Sequence, residues 1–389
     1  MDNFIYEVPT RVYFGRDQLA YLGGELGRFG KNVLLCYGGG SIKRNGLYDK
    51  LAAQIKAAGL TPFELGGIDP NPRVSSVREG AALCRKHKID VLLAAGGGSV
   101  IDCAKFIGAA AFYEGDAWEI LTKKPRIDRC LPLVTVLTAA AAGSETDSFG
   151  VISNPDTNDK IGWGYSVMTP KVSFLDPSNT YTVNAFQTAC GAADILSHIV
   201  EVYFAPGDTF YMLDAVMEGL MKTVVKFAPA ALKNPTDYEA RANLMWASSW
   251  AINGFISGGA DHAWSCHPVE HELSAHYDIA HGAGLAVLTP RWMEYVLDEK
   301  TAPRFKRFGV NVFDLDPAVP APTAAQAAIE SLKEFLFTVC RLPANLTALN
   351  IDSSKFPVMA QKACRLGDLK YAYKPLAPRD VENILNMCL

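Results

Sequence analysis

Histidines are concentrated in one short segment of this 389-residue chain, which holds five of the seven. These five are His262, His267, His271, His276 and His281. Upstream, Asp194 and His198 stand four positions apart, as His267 and His271 do, and residues with this spacing project from one face of a helix. Imidazole and carboxylate side chains are common ligands of Zn²⁺ and Fe²⁺. The concentration and the spacing therefore predict a divalent-metal site.

Such a site needs two helices that each present a donor pair to one cavity. Asp194 and His198 would form one pair, and they interrupt an apolar run in which an unpaired charge is costly. His267 and His271 would form the other, with His281 entering from the turn that follows. This donor set suits Zn²⁺ or Fe²⁺ better than Mg²⁺ or Ca²⁺, which prefer oxygen. Spacing alone leaves ordinary packing open, and we interpret three further histidines as surface or core residues: His87, His262 and His276.

A competing motif overlaps the second pair. His267-Pro-Val-Glu270-His271 matches the H-x-x-E-H pattern of zinc peptidases, in which two histidines hold zinc and the glutamate activates water. A pattern of five residues is easily met by chance, and Pro268 suits the first turn of a helix better than its middle. The N-terminal half of the chain has to distinguish a hydrolase from other enzymes.

Three apolar runs in that half each end in a turn of small residues. Residues 33–37 run into a turn formed by Gly38, Gly39, Gly40 and Ser41. Residues 89–95 run into a second glycine turn at 96–99, and residues 133–138 run into small residues at 139–146. A strand, a glycine turn and a helix start bring backbone N–H groups to a phosphate. Two such turns suggest a dinucleotide, although neither matches G-x-G-x-x-G or the P-loop and each alone could be a plain tight turn.

Strand and helix patterns alternate as far as residue 183 and become helical beyond it. We therefore expect an α/β fold, with a parallel-sheet dinucleotide domain at 1–183 and an α-helical metal-binding domain at 184–389. A helix is predicted over residues 212–227, and Thr236 with Glu239 predicts a capping box that opens the next one. An edge strand near residues 5–12 is a candidate dimer contact.

Landmarks of one family occur in order along nearly the whole chain. They are residues 4–15, Gly96 to Asp102, Thr138 to Glu145, Phe174 to Pro177, the Asp194 and His198 pair, His267 to His271, His281 to Gly284, and the tail at 371–381. On these residues the chain resembles the iron-dependent (group III) alcohol dehydrogenases, near their butanol dehydrogenase and NADPH-dependent aldehyde reductase branch. The resemblance implies a Rossmann-like nucleotide domain and a helical domain in a dehydroquinate synthase-like architecture.

Site residues follow from this resemblance. It implies one Fe²⁺ or Zn²⁺, and the implied ligands are Asp194, His198, His267 and His281. His271 is similar to a family histidine that lies near the nicotinamide and passes protons. The residues implied to contact the cofactor are Gly97, Gly98 and Ser99 at the pyrophosphate, Asp102 near the nicotinamide end, Thr138, Ala141 and Ser144 along the cofactor, and Lys160 at the nicotinamide ribose.

Two departures from the family pattern concern the cofactor. Ala141 and Ala142 replace a turn that commonly carries a threonine, so one hydroxyl contact is missing. Gly39 stands where relatives that prefer NAD carry an aspartate, and a small residue there admits a 2′-phosphate. Lys43 and Arg44 would add positive charge, unless they are only the solvated face of a helix start. We therefore predict that NADP(H) is preferred over NAD(H).

Composition sets the remaining expectations. A net charge of −4 and 49% apolar residues give no reason to expect a nucleic-acid or membrane partner. No signal-peptide pattern and no C-x-x-C occur, and with nine scattered cysteines this predicts a cytoplasmic protein. From the resemblance we expect a homodimer that transfers hydride between NAD(P)H and a small primary alcohol or aldehyde such as butanol or butyraldehyde. Alternatives are a dehydroquinate synthase-like or glycerol dehydrogenase-like enzyme, the H-x-x-E-H hydrolase, and a catalytically silent binder.

Aromatic residues near the motifs favour a small, weakly polar substrate, although each of them could equally belong to the core. They are Phe149, Trp163, Trp264 and Trp292.

Overall fold

The computed structural model describes residues 3–206, 210–259 and 263–389. Two compact units divide the chain: Glu7–Val183 forms one, and Met1–Tyr6 with Asn184–Leu389 forms the other. We call them the α/β unit and the helical unit. His262 lies outside the described residues, so its interpretation stays a prediction.

The α/β unit is built on a six-stranded sheet in the order β1-β8-β5-β4-β2-β3, in which every neighbouring pair is parallel. Its strands are β1 (Arg11–Phe14), β2 (Asn32–Tyr37), β3 (Thr61–Leu65), β4 (Val91–Gly96), β5 (Leu133–Leu137) and β8 (Val172–Leu175). The predicted α/β class with a parallel sheet is confirmed.

The apolar runs form the centre of this sheet because its strands are covered on both faces. All residues of β4 and β5 are buried, as are five of the six in β2. The register pairs Tyr37 with Ala95 and Gly96 with Leu137, so these strands end level with one another. The three small-residue turns therefore lie side by side at the carboxyl edge of the sheet, where α/β proteins bind ligands.

Two features of this unit differ from expectation. β6 (Phe149–Asn154) and β7 (Asp159–Gly164) form an antiparallel hairpin apart from the main sheet, which the sequence did not predict. The predicted edge strand at 5–12 is wrong for most of its length, because β1 begins only at Arg11. Pro9 has no N–H for a strand ladder, and Tyr6 instead packs on Phe255 of the helical unit, to which it belongs.

Helices of the α/β unit connect and cover the strands. They are α1 (Leu22–Gly27), α2 (Ser41–Arg44), α3 (Leu47–Ala57), α4 (Val74–His87), α5 (Gly98–Ala110) and α6 (Glu119–Thr122). The helical unit contains α7 (Ala185–Tyr203), α8 (Tyr211–Lys233), α9 (Tyr238–Ile252), α10 (His267–Tyr277), α11 (His281–Val296), α12 (Ala302–Phe313), α13 (Ala321–Lys333), α14 (Phe356–Gly367) and α15 (Pro378–Met387).

Two helices of the helical unit, α7 and α9, begin with a side-chain cap. The side chain of Asn184 accepts a hydrogen bond from the backbone N–H of Gln187 and so caps α7. Asp237 caps α9 in the same way, so the predicted capping box at Thr236 is wrong by one residue. The helix predicted over 212–227 is observed as α8. Among the helices in the described stretches, none has the length and apolar composition required to cross a membrane.

Candidate functional site

One helix carries the first predicted donor pair. Asp194 and His198 lie on α7, both buried, and their spacing places them on the same face as predicted. α10 begins at His267, with Pro268 in its first turn, and α11 begins at His281. Two helix starts therefore bring the remaining imidazoles to the middle of α7.

The four predicted metal ligands meet at one carboxylate oxygen. Asp194 Oδ1 lies 3.7 Å from Nε2 of His198, 3.8 Å from Nε2 of His267 and 3.7 Å from Nε2 of His281. The donor atoms of Asp194, His267 and His281 all lie within 4.8 Å of one another. The four side chains come from three helices and meet in one place.

Two of these donor atoms are buried without a hydrogen-bond partner: Asp194 Oδ1 and His267 Nε2. Buried polar atoms are normally satisfied, because an unmet hydrogen bond in the interior costs free energy. A cation placed between these atoms would satisfy both. The donors, one carboxylate and three imidazoles, fit Fe²⁺ or Zn²⁺.

A second carboxylate, Glu201, stands behind His267. It is fully buried on α7 and its Oε1 is hydrogen-bonded to Nδ1 of His267. Its oxygens also accept hydrogen bonds from the backbone N–H groups of Ser265, Cys266 (2.7 Å) and His267 (3.2 Å). Glu201 therefore fixes both the ring of His267 and the chain that leads into α10, and it leaves Nε2 directed to Asp194.

Glu270 orients the ring of His281 in the same way. Its Oε2 is hydrogen-bonded to Nδ1 of His281, and its Oε1 accepts a hydrogen bond from the hydroxyl of Ser274. The H-x-x-E-H hydrolase alternative required this carboxylate as a base for water. Its side chain is instead fully buried and engaged with His281.

Charge and burial set the protonation of the cluster. Burial opposes ionisation of Asp194, but the neighbouring histidines outweigh it and hold the pKa of that carboxyl below its ordinary value. Burial lowers the pKa of His198 to about 4, so this imidazole is neutral, the form that binds a metal. Burial also opposes protonation of His267, yet Glu201 and Asp194 raise its pKa to about 9. A cation bound at Nε2 would replace that proton.

Two glycines allow the close approach of α10 and α11 to the cluster. A Cβ at Gly282 would lie 2.0 Å from the carbonyl oxygen of Cys190, so α11 touches the backbone of α7 one turn before Asp194. A Cβ at Gly284 would lie 2.8 Å from Cγ of Glu270. The second glycine makes room for the carboxylate that orients His281.

His271, the predicted proton-transfer residue, lies one turn beyond His267 on α10. Its ring centroid is 5.6 Å from that of His281 and 6.3 Å from that of His267. Trp264 also borders the cluster, with its ring 4.8 Å from that of His267. Trp292 does not: it is buried against Phe204 and belongs to the core.

The predicted pyrophosphate turn lies between β4 and α5. Gly97 precedes α5, Gly98 is its first residue, and Thr138 follows the neighbouring strand with its N–H on the carbonyl of Gly96, 3.0 Å away. A Cβ at Gly98 would lie 2.7 Å from Cβ of Ala142, so the two turns are in contact. Gly97, Gly98, Ser99, Thr138 and Ala141 therefore occupy adjacent turns, with the N–H groups of α5 available for a phosphate.

Asp102 and Ser144 are joined below this turn. The Ser144 hydroxyl donates to Asp102 Oδ1 at 2.5 Å, and the N–H of Val151 donates to Oδ2 at 2.9 Å. Lys105, fully buried, donates to Ser144 Oγ at 2.8 Å and is paired with Asp147. Sequence reasoning missed Lys105, although a single lysine in the apolar stretch of α5 was a signal. Burial raises the pKa of Asp102 to about 6 despite the nearby ammonium of Lys105.

The other predicted cofactor residues lie at two places in the same unit. Lys160 is buried on β7, in the hairpin whose Gly150 lies against Asp102: a Cβ there would be 3.3 Å from the Asp102 Cα. Gly38, Gly39, Gly40 and Ser41 form the turn between β2 and α2. Gly40 has a φ of 87°, which favours glycine, and a Cβ at Gly39 would meet nothing within 4 Å.

Comparison with known proteins gives a consistent result for both units. The family model described as iron-containing alcohol dehydrogenase matches residues 9–177, and that of the C-terminal domain of Fe-containing alcohol dehydrogenases matches residues 188–389.

Named relatives cover nearly the whole chain. NADH-dependent butanol dehydrogenase B of Clostridium acetobutylicum is 48% identical, over 94% of each chain. The NADPH-dependent aldehyde reductase YqhD of Escherichia coli is 35% identical, over 93% of each chain. Among solved structures, NADH-dependent butanol dehydrogenase A of Thermotoga maritima superposes with a TM-score of 0.95 and 37% identity, covering 100% of this chain and 99% of that one.

Proposed function

The chain belongs to the iron-containing alcohol dehydrogenase family, and we propose that it interconverts small primary alcohols and aldehydes, such as butanol and butyraldehyde, with NADPH as the preferred cofactor. As a member of the family it is a metal-dependent oxidoreductase that uses NAD(P)H. The observation that carries the proposal is the pair of unpartnered buried atoms, Asp194 Oδ1 and His267 Nε2, at the centre of the donor set.

The roles of the residues follow from their contacts. When bound, the metal polarises the substrate oxygen and the nicotinamide carries the hydride. The proposed metal ligands are Asp194, His198, His267 and His281. Glu201 and Glu270 hold His267 and His281 with Nε2 directed to Asp194, where the metal would bind. His271 donates a proton to the alcohol oxygen during reduction and accepts it during oxidation.

In the α/β unit we assign the dinucleotide to the carboxyl edge of the sheet. The backbone N–H groups of Gly98 and Ser99, at the start of α5, bind the pyrophosphate. Thr138, Ala141 and Ser144 line the cofactor. Asp102 lies near its nicotinamide end, and Lys160 contacts the nicotinamide ribose.

The nucleotide preference rests on Gly39. The space beside Gly39 would admit a 2′-phosphate, and the turn at residues 38–41 contains no acidic side chain that would repel it. The relative at 48% identity is an NADH-dependent enzyme, and the relative at 35% identity is NADPH-dependent. The proposed NADPH preference rests on Gly39 of this chain, where an aspartate would repel the 2′-phosphate.

We also propose a cytoplasmic homodimer. All nine cysteines are free thiols, as expected in a reducing compartment. Within the described residues β1 is hydrogen-bonded to β8 on one side, and its other edge would be the contact with a second copy. Light scattering tests this assembly, and a monomer at micromolar concentration would contradict it.

The decisive experiment follows nicotinamide absorbance with butyraldehyde, comparing NADPH with NADH. Metal-stripped protein is measured beside the same protein restored anaerobically with Fe²⁺ or Zn²⁺. We expect turnover only after restoration, and faster turnover with NADPH. Activity confined to glycerol would favour the glycerol dehydrogenase-like alternative, and no redox turnover in fully metal-loaded protein would contradict the proposal.

A further inference from the structure

The two basic residues that follow the Gly39 turn have different surroundings. Arg44 donates a hydrogen bond from Nη1 to the carbonyl of Gly39, 3.3 Å away, so its charge stays at the turn. Lys43 points instead to two aromatic rings, with Nζ 4.8 Å from the centroid of Tyr37 and 4.6 Å from that of Tyr48. Of these two residues, Lys43 is the one whose charged group contacts a cluster of side chains.

An acidic residue from the neighbouring strand completes this cluster. Glu64 lies on β3, opposite Leu35 of β2, and its Oε2 is 3.7 Å from Lys43 Nζ. The hydroxyl of Tyr37 donates to Oε2 at 2.9 Å, and that of Tyr48 donates to Oε1. We call Tyr37, Lys43, Tyr48 and Glu64 the lysine cluster. Its members hold one another in place although Lys43 and Glu64 are partly exposed.

Packing fixes the position of the cluster relative to the turn. A Cβ at Gly66 would lie 2.6 Å from Cζ of Tyr37, so the Tyr37 ring is pressed against the backbone after β3. The N–H of Lys43 donates to the carbonyl of Gly40 at 3.1 Å. The backbone of Lys43 is therefore held at the turn, while its ammonium group is directed to Glu64.

We propose that Glu64 is a specificity-determining residue for the nucleotide: by holding and neutralising Lys43, it limits how strongly the turn at residues 38–41 attracts a 2′-phosphate. The inference rests on the proposed function, because it takes this turn as the adenosine end of the site. It concerns the difference between two nucleotides, whichever of them the wild-type protein prefers.

The physical reasoning is one of charge balance. A 2′-phosphate adds two negative charges at most, and an unpaired ammonium nearby would attract them. Burial opposes ionisation of Glu64, but the tyrosine hydroxyls outweigh it and lower the pKa of Glu64, so its charge persists at neutral pH. Removing that carboxylate leaves Lys43 free to meet the phosphate. NADH has no 2′-phosphate and should respond little.

The test is equilibrium binding without turnover. Dissociation constants of NADPH and NADH are measured by nicotinamide fluorescence on the metal-loaded protein without aldehyde, for the wild type and for Glu64→Gln, which keeps a hydrogen-bond acceptor for the tyrosines. We expect about fivefold tighter NADPH binding in the variant, the size of one partly exposed charge interaction, and less than a twofold change for NADH. The gain should shrink at high salt because the charges are screened.

Two further ligands lack the nicotinamide and therefore test the adenosine end of the site alone. Adenosine 2′,5′-bisphosphate should gain affinity in Glu64→Gln, and adenosine 5′-monophosphate should not. Adding Lys43→Met to Glu64→Gln should abolish the gain, since the freed ammonium is its source. As a charge control, Glu119→Gln removes a carboxylate on α6 that is paired with Lys123. It should change neither the NADPH nor the NADH dissociation constant.

Equal effects on NADPH and NADH, or no effect on either, would overturn the inference. Persistence of the gain in the double variant would overturn it too. A wild-type protein that binds NADH more tightly contradicts the proposed NADPH preference alone, because the effect of Glu64→Gln is read as a change in the ratio. Absence of any nucleotide binding would contradict both.

Discussion

Two buried clusters of charged residues, one in each unit, are completed in opposite ways. In the α/β unit, Lys105 donates to Ser144, to Asp147 and to the carbonyl of Phe149, and Asp102 accepts hydrogen bonds at both oxygens. In the helical unit, Asp194 Oδ1 and His267 Nε2 have no such partner. The first cluster contains its own cation, whereas the second has the arrangement of a cluster that receives one.

This difference separates a cluster whose charges are satisfied within the protein from one that a bound cation would complete. A satisfied buried network stabilises one conformation, here the contact between α5 and the turn that carries Ser144. The unpartnered Asp194 Oδ1 and His267 Nε2 carry a free-energy cost that a bound cation would remove. Removing a charge should therefore lower the free energy of unfolding most in the first cluster and the metal affinity most in the second.

The largest effect is expected from Asp194→Asn. We expect loss of bound metal and a fall in kcat/KM of at least about 1000-fold, because the polarising cation is lost. The metal-free variant should stay folded, with a free energy of unfolding lower by about 1–2 kcal/mol, because asparagine keeps the side-chain volume but loses the charge that faces the imidazoles. Metal analysis, kinetics and urea unfolding measure the three quantities. Asp237→Asn, which preserves the cap of α9, is the matched control, and retention of metal by Asp194→Asn would break the comparison.

Lys105→Met should act in the opposite sense. Breaking a buried ion pair leaves Asp147 and Asp102 without their cation, which costs about 3–5 kcal/mol in the free energy of unfolding. Metal content per folded molecule should stay unchanged. The exposed pair of Lys123 and Glu119 provides the control, since Lys123→Met should cost less than about 1 kcal/mol. If the two lysine variants unfolded at the same urea concentration, Lys105 would have no special structural role.

A smaller effect is expected from Glu201→Gln. Glutamine keeps an acceptor for the backbone N–H groups of Ser265 and Cys266 but loses the charge that polarises His267. Metal affinity should fall about 10- to 100-fold while the fold is retained. Competition with a chelator measures the affinity, with the exposed Glu239→Gln as control. Unchanged metal affinity would limit Glu201 to holding the backbone.

The smallest effect concerns pH. Burial raises the pKa of Asp102 from 3.8 to about 6, so between these values the folded protein binds more protons than the unfolded chain. The contribution of Asp102 to stability should therefore increase as pH falls from about 6 to about 4. The difference in the free energy of unfolding between wild type and Asp102→Asn, measured over this range, isolates it. A difference independent of pH would show that the carboxyl titrates normally.

Local patterns predicted what depends on a single helix or strand. The spacing of Asp194 and His198 was sufficient to place both on one face of α7, and the apolar run at 89–95 was sufficient to place β4. The positions of the glycine turns were predictable as well, because each turn directly follows a buried apolar strand. These features depend on residues that are near neighbours in sequence.

Contacts between distant segments could not be predicted in this way. The pairing of Glu270 with His281 joins two helices, and that of Glu201 with the backbone before α10 spans more than sixty residues. Glu201 did carry one signal, since it follows His198 by one turn in a buried helix. The β6–β7 hairpin was missed because its residues neither form a continuous apolar run nor alternate clearly.

The backbone contact between Gly282 and Cys190 links metal supply to folding. Asp194 and His281 come within reach of one ion only when α11 has docked on α7, so an unfolded chain offers no assembled site. A cation that binds the docked state alone adds about 2.7 kcal/mol to the stability of the fold at a free concentration one hundred times its dissociation constant. In a cell poor in the metal that occupies this site, the helical unit would lose that contribution and open more often to proteases. The abundance of the enzyme would then follow metal availability, even with transcription held constant.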